Sequence, residues 1–134
     1  MFAIVLYDAA REGVLLARDP LGIKPLYIAD DGATLRVASQ VKALLASGKI
    51  PTDADPAGHA GFFLWGAPPD PYTMFRAIRA LPAGVTQWVD RRSARTPQRY
   101  WRVADIFNAA RPTHRNAAQQ REELRDRKST RLNS

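Results

Sequence analysis

Short apolar runs separated by turn chemistry fill the start of the chain. Residues 1–8 are apolar and β-prone, and Ala9-Ala10-Arg11-Glu12-Gly13 supplies a turn. A second strand is predicted over 14–19, stopped by Pro20-Leu21-Gly22, where proline fixes φ and glycine admits positive φ. Residues 23–29 predict a third strand, Asp30-Asp31-Gly32 a hairpin turn, and residues 35–38 the returning strand. These runs are apolar throughout rather than alternating, the pattern of a sheet covered on both faces.

The period then lengthens. Ser39 reads as an N-cap, Val41, Leu44 and Leu45 fall on one helical face, and Gly48 sits where a helix would close. Asp55 followed by Pro56 predicts the start of a second helix. Its Phe62, Phe63 and Trp65 read as a stripe facing the core. Gly58 and Gly61 each weaken that helix by about 1 kcal/mol relative to alanine. Further on, the pattern predicts a stiff proline loop over 67–71, a turn of helix over 75–81 and a bend at Pro82-Ala83-Gly84. A strand over 85–90 and an edge strand over 99–103 follow. From residue 108 the character turns polar, with a linker over 109–116 and a helix beginning over 117–125. The class is α+β.

Composition narrows the classes. A chain of 134 residues with 46% hydrophobic and 25% charged positions has enough apolar surface for one domain and does not read as disordered. No apolar run approaches the roughly 18–20 residues of a membrane span. The first residues also lack the basic segment of an export signal. With no cysteine in the chain, the expected location is the cytoplasm and no disulfide is expected.

The net charge of +7 is unevenly placed. Residues 1–90 carry 8 basic against 9 acidic side chains, and residues 91–134 carry 12 against 4. The excess therefore lies in an arginine-rich flank and a polar tail rather than in a patch interleaved with aromatics. Neither nucleic acid nor membrane is an expected partner. The arginines between 91 and 102 read as a solvated face or one that meets another domain. His59 and His114 stand far apart without clustered carboxylates or thiols, so no metal site is expected.

The order of the motifs carries a resemblance. Ala17-Arg18-Asp19-Pro20-Leu21-Gly22-Ile23-Lys24-Pro25-Leu26-Tyr27 is followed by Ser39-Gln40-Val41-Lys42-Ala43-Leu44 and Asp55-Pro56. Then come Pro71-Tyr72-Thr73-Met74-Phe75-Arg76, Leu81-Pro82-Ala83-Gly84 and Tyr100-Trp101. Over residues 1–103 this ordered set resembles the glutaminase domain of glutamine-dependent asparagine synthetases, the class II glutamine amidotransferases. Gln40 stands where that family has Glu, and Ala77 where it has Gly.

The resemblance implies part of an N-terminal-nucleophile αββα sandwich, two stacked antiparallel sheets between helices. It implies a parent enzyme that hydrolyses glutamine through an N-terminal cysteine. The ammonia passes to a synthetase domain that uses ATP and magnesium to activate aspartate and form asparagine. The alternatives are an asparagine-synthetase-like amidotransferase acting on another carboxylate, or a non-catalytic sandwich domain that binds a partner.

Thiolate attack on the amide needs a cysteine at a free N-terminus, with the α-amino group as base. This sequence has no cysteine, so no residue here is expected to be catalytic. The resemblance also implies that the oxyanion hole and the glutamine clamp lie upstream of the strand at 1–8. No glycine run is of the kind that cradles a pyrophosphate. Arg18 and Asp19 are the candidate substrate-binding residues, a charged pair in an otherwise apolar block. Their structural reading is an ion pair holding the 20–22 bend, and Lys24 reads as a strand-edge charge.

No cofactor is expected in this chain, with ATP and Mg assigned to the synthetase domain. Expected partners are glutamine and aspartate for the parent, its own synthetase domain, and a second copy in a homodimer. Residues 1–103 are expected to be the later part of the amidotransferase domain, and 104–125 a linker and helix start toward the synthetase domain. Residues 126–134 are expected to be a non-native tail, and Met1 an internal methionine of a longer frame.

Overall fold

β1 (Ala3–Asp8) and β2 (Gly13–Arg18) form an antiparallel hairpin, in register from Ala3 opposite Arg18 to Asp8 opposite Gly13. β2 pairs on its other side with a strand at Val85–Asp90, which in turn pairs with two residues at Gln98–Arg99. A second sheet is built from β3 (Tyr27–Asp30), β4 (Leu35–Ala38) and the short β5 (Arg79–Ala80). With β6 (Val85–Asp90) and β7 (Gln98–Arg99), the sheet orders are β1-β2-β6-β7 and β4-β3-β5. The structure is a computed structural model that describes residues 1–91, 96–109, 121, 122 and 125. Met1–Arg102 form one unit and Val103–Ser134 a second, which holds the helix α3 (Val103–Ala109).

Strand alternation explains the layering. Val14 and Leu16 of β2 share a face with Val85 and Val89 of β6, because every second side chain points the same way. They pack with Leu26 and Leu81 and with Ile28 and Val37 of the other sheet, so one core lies between the two sheets. Ala29, on the opposite face of β3, packs with Leu44, Ile50 and Ile78 beneath α1 (Val41–Leu45). The layers therefore run sheet, sheet, helix.

The helix α2 (Pro56–Trp65) begins as its sequence predicts. The Asp55 carboxylate accepts from the amides of Ala57 at 2.9 Å and Gly58 at 3.4 Å, and Pro56 opens the helix. Gly66 closes it in the left-handed region at φ 78. Gly58 and Gly61 are sites of close approach rather than weak points. A Cβ at Gly58 would collide with the Thr73 carbonyl oxygen, and one at Gly61 with the Pro69 ring. The prolines and Thr73 pack on this helix because those two side chains are missing.

Five expectations are corrected. Residues 23–26 do not join β3: the Ile23 and Lys24 amides and the Lys24 carbonyl are taken by the Arg18 and Asp19 side chains, and Pro25 has no amide to give. Lys24 is accordingly an exposed loop residue. The N-cap of α1 is the extended Gln40, not Ser39, and makes no side-chain capping bond. Residues 75–81 are not helical: Phe75 bridges to Ala54 and Arg79 joins β5. The 99–103 strand stops at Arg99, since the Tyr100 and Trp101 amides both turn to the Gly84 carbonyl.

The fifth correction concerns apolar exposure. Phe63 is 82% and Trp65 71% exposed, and Phe62 is also exposed, so they do not form a core stripe. Their half of α2 lies beyond the two glycines that seat the helix. β1 is likewise not covered: Val5, Leu6 and Tyr7 are 52%, 55% and 64% exposed. His114, the 126–134 tail and most of the expected 109–125 segment lie outside the described residues. Among the described residues no helix is long and apolar enough to cross a membrane.

Candidate functional site

The last residue of β2 and the one after it form a sealed corner. Arg18 is 8% and Asp19 2% exposed. Buried charges persist only where hydrogen bonds replace water, and each has its own set. Asp19 Oδ1 accepts from the amides of Leu21 and Ile23, both at 3.2 Å, and Oδ2 from Lys24 at 3.0 Å. The Lys24 amide does most to hold the Asp19 carboxyl below its ordinary range, helped by Ile23 and Leu21 against the opposing effect of burial. The carboxylate thus wraps the bend that Pro20 and Gly22 (φ 65) permit.

Arg18 faces the other way. Its Nε donates to the Lys24 carbonyl at 3.0 Å and its Nη2 to Gly22 at 2.9 Å. Nη1 donates to the Leu81 carbonyl at 2.6 Å and to Asp70 Oδ2 at 2.7 Å. The guanidinium fork therefore ties the 22–24 bend to the proline loop and to the turn before β6. The expected holding of the bend is present, but the ion pair of Arg18 is with Asp70, not with its neighbour Asp19.

Backbone and tyrosine contacts complete the corner. The Asp19 carbonyl accepts from Gly22 and Gly84, both at 3.0 Å, and the Asp19 amide donates to Phe2 at 2.9 Å. Tyr100 Oη donates to the Arg18 carbonyl at 2.7 Å. Burial of that hydroxyl, and then the nearby Asp19 charge, push the Tyr100 pKa up.

A second polar cluster seats α2. Asp55 accepts from Arg79 Nη1 as well as from its capping amides, and Arg79 lies over the Tyr72 ring at 5.2 Å. Burial opposes ionisation of Asp55, but the Gly58 and Ala57 amides and Arg79 outweigh it and lower its pKa. Thr73 Oγ1 donates toward the carbonyls of Phe75 and Ile78 and accepts from the Phe75 amide at 3.1 Å. The only X-Pro cis bond among the described residues, Asp70-Pro71, lies between the two clusters.

Chemically, this is a set of satisfied charges. Asp19 spends both oxygens on amides, and Arg18 meets three carbonyls and a carboxylate. Neither charge is left open to a substrate. Among the described residues no group of three His, Cys, Asp or Glu is placed to hold a metal ion, and His59 Nδ1 lies 2.9 Å from the Asp55 carbonyl. Concave spaces lie elsewhere on the unit as well. An apolar cleft of about 330 Å³ lies between the sheets, lined by Ile28, Leu35, Leu81 and Val89 with Arg79 and Gln87. A wider hollow of about 590 Å³ lies on the outer face of the larger sheet against Leu15, Thr86 and Trp88.

Sequence reasoning found Arg18 and Asp19 but missed Asp70, Asp55–Arg79 and the Tyr100 hydroxyl. Asp70 precedes a proline in a loop 52 residues from its partner, and no local pattern signals that pairing.

Comparison with known proteins agrees with the motif order. The glutamine amidotransferase domain family matches residues 1–101. A Mycobacterium bovis protein, named provisionally as a glutamine-hydrolysing asparagine synthetase, is 36% identical over 87 residues, 63% of this chain and 13% of that protein. The glutamine-hydrolysing asparagine synthetase 3 of Bacillus subtilis is 30% identical over 113 residues, covering 77% of this chain and 17% of the relative. Asparagine synthetase B of Escherichia coli is 50% identical over 46 residues, 34% of this chain and 8% of that enzyme. The chain thus spans a small share of the length of the curated relatives it matches. The match runs from β1 through the sealed corner to Trp101, and by it this chain belongs to the glutamine amidotransferase domain family.

Proposed function

We propose that the chain is the later part of a class II glutamine amidotransferase domain from an asparagine-synthetase-type enzyme, and that it serves as scaffold for a glutamine site. The observation that carries this reading is the Asp19 carboxylate. Inside the block that marks the family, it spends both oxygens on the amides of Leu21, Ile23 and Lys24. With three amides on its two oxygens and 2% exposure, it presents no open face to a substrate.

The layering supports an N-terminal-nucleophile αββα sandwich. Two sheets share one core, and α1 covers the outer side of the smaller one. A further helical layer would rest on the outer face of the larger sheet, over the hollow at Leu15 and Trp88. The nucleophile of glutamine hydrolysis is a cysteine, and this sequence has none, so the thiolate belongs to residues outside this chain. The parent would hydrolyse glutamine and use the ammonia, with ATP and magnesium held by a synthetase domain, to amidate aspartate in the cytoplasm. In that reading residues 1–103 belong to the amidotransferase domain, residues 104–125 lead toward the synthetase domain, and residues 126–134 have no part in either.

The test is a transplant. Residues 1–101 of this chain replace the matched segment of the Bacillus subtilis relative, and glutamate release from glutamine is measured. The scaffold reading expects the transplant to keep glutaminase activity and the isolated chain to show none. A folded transplant without activity, or turnover by the isolated chain, would overturn it.

A further inference from the structure

Strand alternation sends polar side chains into a space that stacked sheets normally fill with apolar ones. Ile28 of β3 faces the core between the sheets, so Asp30, two residues on, shares its face. Arg79 stands directly opposite Ile28 on β5 and therefore shares that face too. On the facing sheet, Gln87 falls between Val85 and Val89 in the same alternation. All three line the cleft of about 330 Å³, whose wall is otherwise apolar at Ile28, Leu35, Leu81 and Val89.

The two charges of the cleft are not fully spent. Arg79 gives Nη1 to Asp55, and among the described residues its Nε and Nη2 have no partner. Its side chain is 45% exposed, so a ligand can reach those nitrogens. Asp30 Oδ1 accepts from the Gly32 amide at 2.9 Å, and among the described residues Oδ2 has no partner. Strand spacing sets the Cα atoms of Arg79 and Asp30 about 8 Å apart. A ligand with one charge would answer one of these groups and sit beside its like in the other. A zwitterion answers both.

We propose that this cleft binds a free α-amino acid with an apolar side chain. Its carboxylate takes the open Arg79 nitrogens, its ammonium takes Asp30 Oδ2, and its side chain lies against Ile28, Leu35, Leu81 and Val89. The space is that of roughly ten waters at about 30 Å³ each, room for one such molecule. The cleft is separate from the Arg18–Asp19 corner, and its failure as a site would leave the scaffold reading untouched.

The full chain is titrated with leucine and followed by calorimetry and by nitrogen-15 NMR. Saturable binding is expected with Kd of about 1 mM or tighter, shifting the Leu35 and Val89 amides and the Arg79 Nε signal. 4-Methylpentanoate lacks the ammonium, 3-methylbutylamine lacks the carboxylate, and glycine lacks the apolar side chain. Each should bind at least tenfold more weakly than leucine. Asp30→Asn keeps an acceptor for the Gly32 amide but removes the charge, and should weaken leucine at least tenfold with unchanged circular dichroism. Absence of saturation, or shifts confined to Leu15 and Trp88 on the outer face of the larger sheet, would overturn the proposal. So would any of the three analogues binding as tightly as leucine. If Asp30→Asn misfolds, the analogue series on the unaltered chain still decides.

Discussion

Arg18 Nη1 and Asp70 Oδ2 meet at 2.7 Å across 52 residues of sequence, and the same nitrogen donates to the Leu81 carbonyl at 2.6 Å. One side chain thereby joins the end of β2, the proline loop and the turn into β6. Its charge is matched inside the fold, and that makes it a tie.

Arg18→Ala removes every one of those bonds and leaves the Leu81 carbonyl without this donor. Breaking a buried pair on one side costs about 3–5 kcal/mol, much of the stability of a small domain. Urea unfolding followed by circular dichroism should show the variant largely unfolded in water. Arg18→Lys keeps the charge but not the fork, and should fall between the two.

Acid should loosen the molecule at three identified carboxylates. Asp19 and Asp55 have lowered pKa values, and Asp31, bonded first by Arg36 and then by the Thr34 and Ala33 amides, drops from 3.8 to about 2. A carboxyl whose folded pKa lies below its unfolded value stabilises the fold above the unfolded value and loses that contribution as pH falls through the folded one. Stability should therefore be flat near neutrality and decline below about pH 4, where the unfolded carboxyls begin to take up protons. Asp31→Asn should shrink the decline between about pH 4 and pH 2, read from urea midpoints at each pH.

Gly58→Ala separates helix propensity from packing. Propensity alone favours alanine by about 1 kcal/mol. The new Cβ would meet the Thr73 carbonyl, a backbone group that cannot swing aside. Net destabilisation of about 1–3 kcal/mol is expected in thermal melts. A stabilised variant would show that the Thr73 backbone does not pack on α2 as described.

Tyr100→Phe deletes the hydroxyl that donates to the Arg18 carbonyl. The expected loss is about 0.5–1.5 kcal/mol, with faster amide exchange at Gly84 and Tyr100. Its phenol should also titrate above the ordinary tyrosine range in the unaltered chain, seen by ultraviolet absorbance.

Much of the fold was legible wherever the determinant was local. Asp55 before Pro56 placed the start of α2, and the Asp30-Asp31-Gly32 turn placed the β3–β4 hairpin. Asp31 indeed accepts from the Ala33 amide at 3.0 Å, as such turns require. The misses share a physical cause in contacts distant along the chain. Residues 23–26 look like strand until the Arg18 and Asp19 side chains claim the Ile23 and Lys24 amides and the Lys24 carbonyl. Residues 75–81 look helical until β3 recruits Arg79 and Thr73 recruits the Phe75 and Ile78 carbonyls. Phe63 and Trp65 look like core because hydrophobicity says nothing of which side of a helix meets its neighbour, and here the glycines do. At the candidate site the pair itself was legible as a charged break in an apolar run. Its partners were not.

The scaffold account stands or falls on one kinetic comparison. In the transplant carrying residues 1–101 in the Bacillus subtilis relative, kcat/KM for glutamine is measured with and without Asp19→Asn, normalised to the folded fraction. If Asp19 only holds the bend, the urea midpoint falls while kcat/KM per folded molecule stays within about threefold, under 1 kcal/mol of transition-state stabilisation. A hundredfold or greater loss of kcat/KM with an unchanged midpoint would make Asp19 part of the glutamine site and contradict the account.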